Sequence, residues 1–322
     1  MYIITGGAGF IGSACLWRLN QAGVDDILVV DNLGETDKWK NLVNRRYRDY
    51  VHKSRLFDLL ESGSLGKIRA IIHMGACSAT TQRDADYLME NNLHYSQRLA
   101  RYALNHGVRF IGASSAATYG DGALGFNDDP AGLEGLKPLN MYGYSKHLFD
   151  LWARRERCLD RLASLKFFNV FGPNEYHKGD MRSVVFKAFH QARAEGVIRL
   201  FKSYREAYPD GGQRRDFIYV KDCVELIWWL LEHPEVGGIL NVGTGQARTW
   251  NDLGTAVFKA LGLAPHIEYM EMPERLRGRY QYHTCAELSG LKTAGYKTAF
   301  KSLEAGVADY LNHYLQQEDP YL

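Results

Sequence analysis

The sequence predicts an α/β protein built on a doubly wound parallel sheet, with a smaller mixed α/β lobe beside it. Three observations predict it. Short runs rich in Val and Ile alternate with longer stretches of helical character, a glycine-rich turn closes the first run, and an aspartate ends the second about 20 residues further on.

The strand-like runs are Tyr2 to Thr5, Ile27 to Asp31, Ala70 to Met74, Arg109 to Ser115 and Ser164 to Val170. They are nearly continuous in apolar character, as strands covered by helices on both faces should be. Helices are expected over 10–22, 84–106 and 143–159, the last two with apolar residues every three to four positions. Beyond Gly172-Pro173 the rhythm loosens. Ile198 to Phe201, Asp216 to Val220 and Ile239 to Val242 read as strands among loops, and 202–214 reads as an exposed loop holding Tyr204, Tyr208, Pro209, Gly211 and Gly212 among charges.

Composition narrows the classes of function. Of 322 residues, 46% are apolar and 24% charged, which is typical of folded globular chains. With 39 basic against 37 acidic residues there is no global positive field, so no nucleic-acid partner is expected. The apolar run around Leu226 to Leu231 is far short of the roughly 20 residues of a membrane span, and no membrane association is expected. Strand-like sequence from Tyr2 onward leaves no room for an export signal, and the expected location is the cytoplasm. Five cysteines (Cys15, Cys77, Cys158, Cys223 and Cys285) are scattered without ligand spacing, so reduced thiols and no metal are expected.

The turn after the first strand reads Gly6-Gly7-Ala8-Gly9-Phe10-Ile11-Gly12. Glycines at 6, 9 and 12 permit a tight turn, close approach of backbone amides to a pyrophosphate and close helix–strand packing, and the helix N-terminus adds a favourable dipole. With Asp31 ending the second strand, this is the fingerprint of a dinucleotide-binding Rossmann unit. Asp31 alone would accept the ribose hydroxyls of NAD. Asn32 follows it, however, and Lys38 and Lys53 in adjoining loops could neutralise a 2′-phosphate, so tightly bound NADP is expected, with NAD as the alternative.

A second constellation is Tyr142-Gly143-Tyr144-Ser145-Lys146, with Ser114 and Ser115 at the end of an upstream strand. Tyr142 and Lys146 are four apart and share one helix face. An ammonium there is expected to lower the phenol below its usual value near 10, letting Tyr142 take a proton from an alcohol as hydride leaves, with Ser115 steadying the same oxygen.

These motifs, with Ser114-Ser115-Ala116-Ala117-Thr118-Tyr119-Gly120 and Arg215-Asp216-Phe217-Ile218-Tyr219-Val220-Lys221-Asp222, resemble the extended short-chain dehydrogenase/reductase superfamily over essentially the whole chain. More narrowly, four runs resemble the ADP-L-glycero-D-manno-heptose 6-epimerase family. They are Gly75 to Thr81, Asn140 to Lys146, Phe168 to Gly179 and Gly278-Arg279-Tyr280-Gln281. The resemblance implies inversion of carbon 6 of an ADP-heptose through a transient 6-keto sugar, for lipopolysaccharide inner-core synthesis, by a homo-oligomer. It implies a cofactor site of Gly6, Gly9, Phe10, Ile11, Gly12, Asp31, Asn32, Lys38, Lys53, Met74, Gly75, Ala76, Cys77, Ser78, Asn91, Lys146, Val170 and Lys178. Substrate contacts are implied for Ser115, Asn169, Asp180, Lys187, Phe201, Lys202, Ser203, Tyr204, Arg215 and Tyr280, and proton transfer for Tyr142 paired with Lys178.

The expected division is a cofactor-binding domain over 1–170 and a mainly substrate-binding lobe over 171–322, with about 216–245 returning to the first. Arg215 is the candidate for gripping a pyrophosphate bidentately. Lys178 could instead only bind phosphate, and which of Tyr142 and Lys178 acts as base in either direction stays open. Two other readings share the fold: an epimerase acting at carbon 4 of a nucleotide sugar, and a non-catalytic NADP-binding relative. A 4,6-dehydratase would need an acid/base carboxylate pair where Ala116 and Ala117 stand.

Overall fold

The computed structural model describes residues 1–277 and 280–322, with 275 and 276 described by backbone alone. Gly278 and Arg279 of the Gly278-Arg279-Tyr280-Gln281 run therefore lie outside the described residues. The strands are β1 (Tyr2–Thr5), β2 (Ile27–Asp31), β3 (Asp49–His52), β4 (Ala70–His73), β5 (Arg109–Ser115), β6 (Leu162–Phe167), β7 (Asn169–Phe171), β8 (Ile198–Phe201), β9 (Arg214–Tyr219), β10 (Gly238–Val242), β11 (Ala247–Thr249) and β12 (Ile267–Met270). Seven of them form one sheet in the order β10-β6-β5-β4-β1-β2-β3, every pair parallel.

Period-2 alternation explains the double winding. Ile4, Val29 and Ile72 pack on one face, with Ala14, Leu16 and Leu19 of the helix Phe10–Gln21 and Leu226 and Leu230 of the helix Val220–Glu232. Their neighbours Ile3, Val30 and Ile71 pack on the other, with Leu99 of the helix Tyr95–Asn105 and Phe149 and Trp152 of the helix Met141–Arg155. The strand order reverses between β1 and β4, and a crevice is expected beyond the carboxyl ends of the strands at that switch point.

The structure departs from the expected elements in four places. The run 164–170 is two strands: the amide of Phe168 donates to the carbonyl of Val242 at 3.0 Å, after which β7 leaves to pair with β9 in a separate three-stranded sheet, β11-β9-β7. The long helix over 84–106 is broken by a π turn, Met89–His94, between Ala85–Leu88 and Tyr95–Asn105. The third helix starts at Met141, earlier than expected, because the Asn140 side chain caps it by accepting from the Gly143 amide at 2.8 Å. Finally, the 202–214 stretch is exposed only in its outer part. Gly211, Gly212 and Gln213 are buried and Arg214 already opens β9.

Three short strands, β3, β11 and β12, carry too little apolar alternation to be read from sequence; β12 pairs with β8 in a two-stranded sheet. Among the described residues no helix is long and apolar enough to cross a membrane.

Candidate active site

A cleft of about 810 Å³ opens at the carboxyl ends of β1, β2, β4, β5 and β6. One wall is the glycine turn. Gly6 has φ +66°, and a Cβ there would lie 2.5 Å from the Gly75 nitrogen. A Cβ on Gly12 would overlap the carbonyl oxygen of Gly6, so the turn and the helix that follows meet only because these positions lack side chains. Gly9 caps the helix Phe10–Gln21 without any side-chain bond, and its first turn carries no acidic residue. Its leading amides are therefore free donors facing the cleft, with the positive end of the helix dipole behind them. These features fit the phosphates of a dinucleotide.

Asp31 is 5% exposed and braces this turn. Its Oδ2 accepts from the Ala8 amide at 2.8 Å, and its Oδ1 accepts from the Asn32 amide at 2.7 Å and from Lys38 Nζ at 2.5 Å. Lys53 Nζ donates to Asn91 Oδ1 at 2.6 Å. Asn91 stands on the π turn, and the same turn aims the buried Asn92 at the segment Met74 to Ser78. Asn92 accepts from the Cys77 amide at 2.9 Å, and donates to the Cys77 carbonyl at 3.0 Å and to Ser145 Oγ at 3.1 Å. That clamp ties the cofactor-side loop to the helix bearing Lys146. Every residue expected to hold the cofactor lines this one cleft.

Tyr142, Lys146 and Ser115 line it too. Lys146 is 3% exposed, and its Nζ donates to the Ala113 carbonyl at 2.7 Å. Burial brings this ammonium down to about 8, with Asp150 one turn along the helix opposing the shift. Tyr142 corrects an expectation: burial raises its phenol above the ordinary value instead of the lysine lowering it. The Ser115 hydroxyl hydrogen-bonded to it pulls the other way. The reason is geometric, since the Lys146 charge is turned to the Ala113 carbonyl and loss of water around the phenol dominates.

Lys178 enters from the turn Tyr176–Met181, and its Nζ lies 5.2 Å from the centre of the Phe10 ring. Burial lowers this ammonium from its ordinary value, and Glu175 opposes the shift. The turn is pinned from several sides. The Lys178 amide donates to the Glu175 carbonyl at 3.0 Å, buried Glu175 accepts from Ser183 Oγ at 2.7 Å, and Asn41 Nδ2 donates to the Asn174 carbonyl at 3.1 Å.

Asn169 and Val170 line the cleft, whereas Asp180 and Lys187 stand exposed at its edge, the Lys187 ammonium donating to the Asp180 carbonyl at 2.7 Å. Phe201, Arg215 and Tyr280 gather beyond it. The Arg215 guanidinium is 5.1 Å from the Tyr280 ring centre and 5.7 Å from that of Trp250. Phe201 meets Tyr280 edge-on at 6.4 Å. Lys202, Ser203 and Tyr204 do not reach the cleft wall. Lys202 Nζ pairs with Glu271 at 2.8 Å, the Tyr204 hydroxyl donates to the same carboxylate, and the Ser203 amide donates to Asp210 Oδ1 at 2.7 Å.

Trp250 joins the two groups and was not legible in the sequence. It lines the cleft while its Nε1 donates to the Tyr280 hydroxyl at 2.9 Å. His177, Arg182 and Ser183 also line the cleft unannounced. Only the spacing Lys146 to Asp150 offered a signal for a deeper residue, since four positions keep both on one helix face. Among the described residues no group of three or more His, Cys, Asp and Glu side chains is placed to hold a metal ion.

A glycine cradle on an uncapped helix, with a serine, a tyrosine and two lysines in the same cleft, defines a nicotinamide-dependent enzyme that oxidises and reduces an alcohol. Residues 2–243 match the model of the NAD dependent epimerase/dehydratase family. The chain is 63% identical over the full length of both proteins to an ADP-L-glycero-D-manno-heptose-6-epimerase of Nitratidesulfovibrio vulgaris, and 48% identical, again over both full lengths, to one of Fusobacterium nucleatum. The crystal structure of the Helicobacter pylori ADP-L-glycero-D-manno-heptose-6-epimerase matches with a TM-score of 0.81 at 27% identity, over 97% of this chain and 95% of that one. The chain thus belongs to the NAD dependent epimerase/dehydratase family and, within it, to the ADP-L-glycero-D-manno-heptose-6-epimerases. It is an epimerase.

Proposed function

We propose that this protein inverts carbon 6 of ADP-D-glycero-D-manno-heptose through a 6-keto sugar, with NADP in the cleft. The names of its full-length relatives support the substrate. The observation that carries the mechanism is that two proton-handling side chains from different elements, Tyr142 of the helix Met141–Arg155 and Lys178 of the turn Tyr176–Met181, line the same cleft.

The chemistry supplied by the bound nicotinamide is reversible hydride exchange at carbon 6. The chain's own part is to manage the proton on the carbon 6 oxygen in two orientations of the sugar, before and after the carbonyl turns over. Burial disfavours the charged form of both groups, raising the Tyr142 phenol and lowering the Lys178 ammonium, and each is placed to exchange a proton with the sugar oxygen in one of its two orientations. Ser115 steadies the oxygen nearest Tyr142, and Lys146, charged and anchored to Ala113, keeps that corner of the cleft positive.

Lys38 and Lys53 support NADP over NAD. Lys38 already neutralises Asp31, and Lys53 adds a further cation on the same side. Arg215, stacked beside Tyr280 and Trp250, holds the ADP pyrophosphate, with Phe201 at its side. Residues 1–170 hold the cofactor, and 171–322 mainly hold the sugar nucleotide, apart from β10 and the helix before it. The enzyme works as a homo-oligomer in the cytoplasm, and its product feeds lipopolysaccharide inner-core synthesis.

Parallel incubations with ADP-D-glycero-D-manno-heptose and a UDP-hexose, read by NMR, test the assignment. Inversion of the ADP-heptose alone is expected. Inversion of the UDP-hexose alone would select an epimerase acting at carbon 4.

A further inference from the structure

Beneath the cleft lies a buried charged cluster that the proton chemistry above does not use. Asp150 is fully buried on the helix Met141–Arg155, four residues after Lys146 and eight after Tyr142, so the three share a face. Its Oδ2 accepts from Ser114 Oγ at 2.8 Å and its Oδ1 from Ser164 Oγ at 2.6 Å. Those serines sit on β5 and β6 in the register that pairs Ser114 with Lys166. One carboxylate therefore bolts the helix to two strands, at a point between Ala113, whose carbonyl holds Lys146, and Ser115, which touches Tyr142.

Lys166, also fully buried, places its Nζ 3.7 Å from Asp150 Oδ2 and 4.3 Å above the ring of Tyr119, and among the described residues it has no hydrogen-bond partner. Burial lowers the Lys166 ammonium and Asp150 opposes the shift, so a lysine kept at this depth calls for a reason beyond packing.

We propose that Asp150 and Lys166 are positioning residues for Lys146: the carboxylate keeps the Lys146 ammonium charged and in place, and the second ammonium limits how strongly it does so. The inference rests on the reading that a charged Lys146 keeps its corner of the cleft positive for the reaction. Other titratable groups pack around this cluster. His73 on β4, which feels Lys146, is held neutral by burial down to about 3, with Thr5 and Ser96 on its two ring nitrogens. His147 feels both Asp150 and Lys166 and is pushed lower by burial. Asp128 acts on Lys166 and Tyr119, and Tyr119 donates to Asn241 Oδ1 at 2.7 Å. None of these brings a second carboxylate to Lys146, and among the described residues Asp150 supplies the negative charge that opposes its downward shift.

The two members should push Lys146 in opposite directions. Asp150→Asn can keep both serine bonds while losing its charge, and should move the Lys146 titration down by about one pH unit or more. Lys166→Met retains much of the volume over Tyr119 and frees the carboxylate for Lys146, so it should move the titration up. Both shifts are read by NMR on protein carrying ¹³Cε-lysine, with Lys146 assigned by its loss in Lys146→Met, and by the alkaline limb of kcat. If Asp150→Asn alone does not fold, Asp150→Asn/Lys166→Met removes both buried charges and should fold, with Lys146 titrating below its value in Lys166→Met. A Lys146 resonance that stays put in folded Asp150→Asn or folded Lys166→Met, or that titrates no lower in the double variant than in Lys166→Met, would overturn the proposal. A resonance that moves as expected while the rate limb does not would support the coupling and refute instead the role given to Lys146 in the reaction.

Discussion

If NADP occupies the cleft as proposed, replacing Lys38 with alanine should remove the preference for it over NAD. In the structure Lys38 Nζ lies 2.5 Å from Asp31 Oδ1, and the carboxylate is only 5% exposed. Without the lysine, that negative charge faces the place where the proposed 2′-phosphate would lie. Two like unit charges about 6 Å apart repel by about 2.8 kcal/mol at an effective dielectric of ~20. Lys38 is 22% exposed, and solvent screening at the rim reduces this to about 1.4 kcal/mol, or about tenfold in Kd. Loss of the lysine's own contact with the phosphate adds about as much again, giving a fall in NADP affinity of about 10- to 100-fold. NAD carries no such phosphate, and Asp31 Oδ1 is freed to accept from its ribose, so its Kd should stay within about threefold. Calorimetric titration of protein stripped of nucleotide would measure both. Equal weakening of the two cofactors, or no change in either, would refute the assignment of Lys38 to the 2′-phosphate.

Four further outcomes are expected. Tyr142→Phe should lower kcat by about 10²- to 10⁴-fold with cofactor affinity retained, measured by single-turnover kinetics alongside calorimetry. Lys178→Met should lower turnover over a similar range, about 10²- to 10⁴-fold, with an unchanged melting temperature; near-normal rates would return this lysine to a binding role. The pH profile follows from Lys146, which burial brings from 10.5 down to about 8. The ammonium prevails below that pH and is lost above it, so kcat should be level through neutrality and fall about tenfold per unit on the alkaline side. Asp216→Ala should destabilise the fold by at least about 3 kcal/mol in denaturant titration, because the buried carboxylate accepts from the amides of Thr244, Gly245 and Ala286, which would all lose their partner.

The sheet was legible because its strands are buried on both faces and so carry unbroken apolar runs, as at Ile27 to Asp31. The cofactor wall was legible because glycine turn chemistry is local in sequence. Breaks inside continuous patterns were not. Phe168 looks like any core residue, yet its amide bonds across to Val242 and ends one strand so that another can start. The π turn at Met89–His94 preserves helical character while re-aiming Asn91 and Asn92.

The outer site was the least legible part. Trp250, Arg215 and Tyr280 meet only because β9 pairs with β11 and the chain returns near 280, and nothing around Thr249-Trp250-Asn251 marks a binding residue. The direction of the Tyr142 shift was missed for a related reason. Sequence spacing shows that Lys146 shares its helix face, but not that the ammonium turns to Ala113 or that loss of water outweighs it at the phenol.

In the proposed mechanism the hydrogen on carbon 6 leaves and returns without passing through water, while Tyr142 and Lys178 handle only the oxygen-bound proton. Running the reaction on ADP-D-glycero-D-manno-heptose in deuterated water, with no cofactor added, tests it directly by NMR at carbon 6. The expected result is an inverted centre that still carries protium. Deuterium at carbon 6, or a centre that never inverts, would contradict the account.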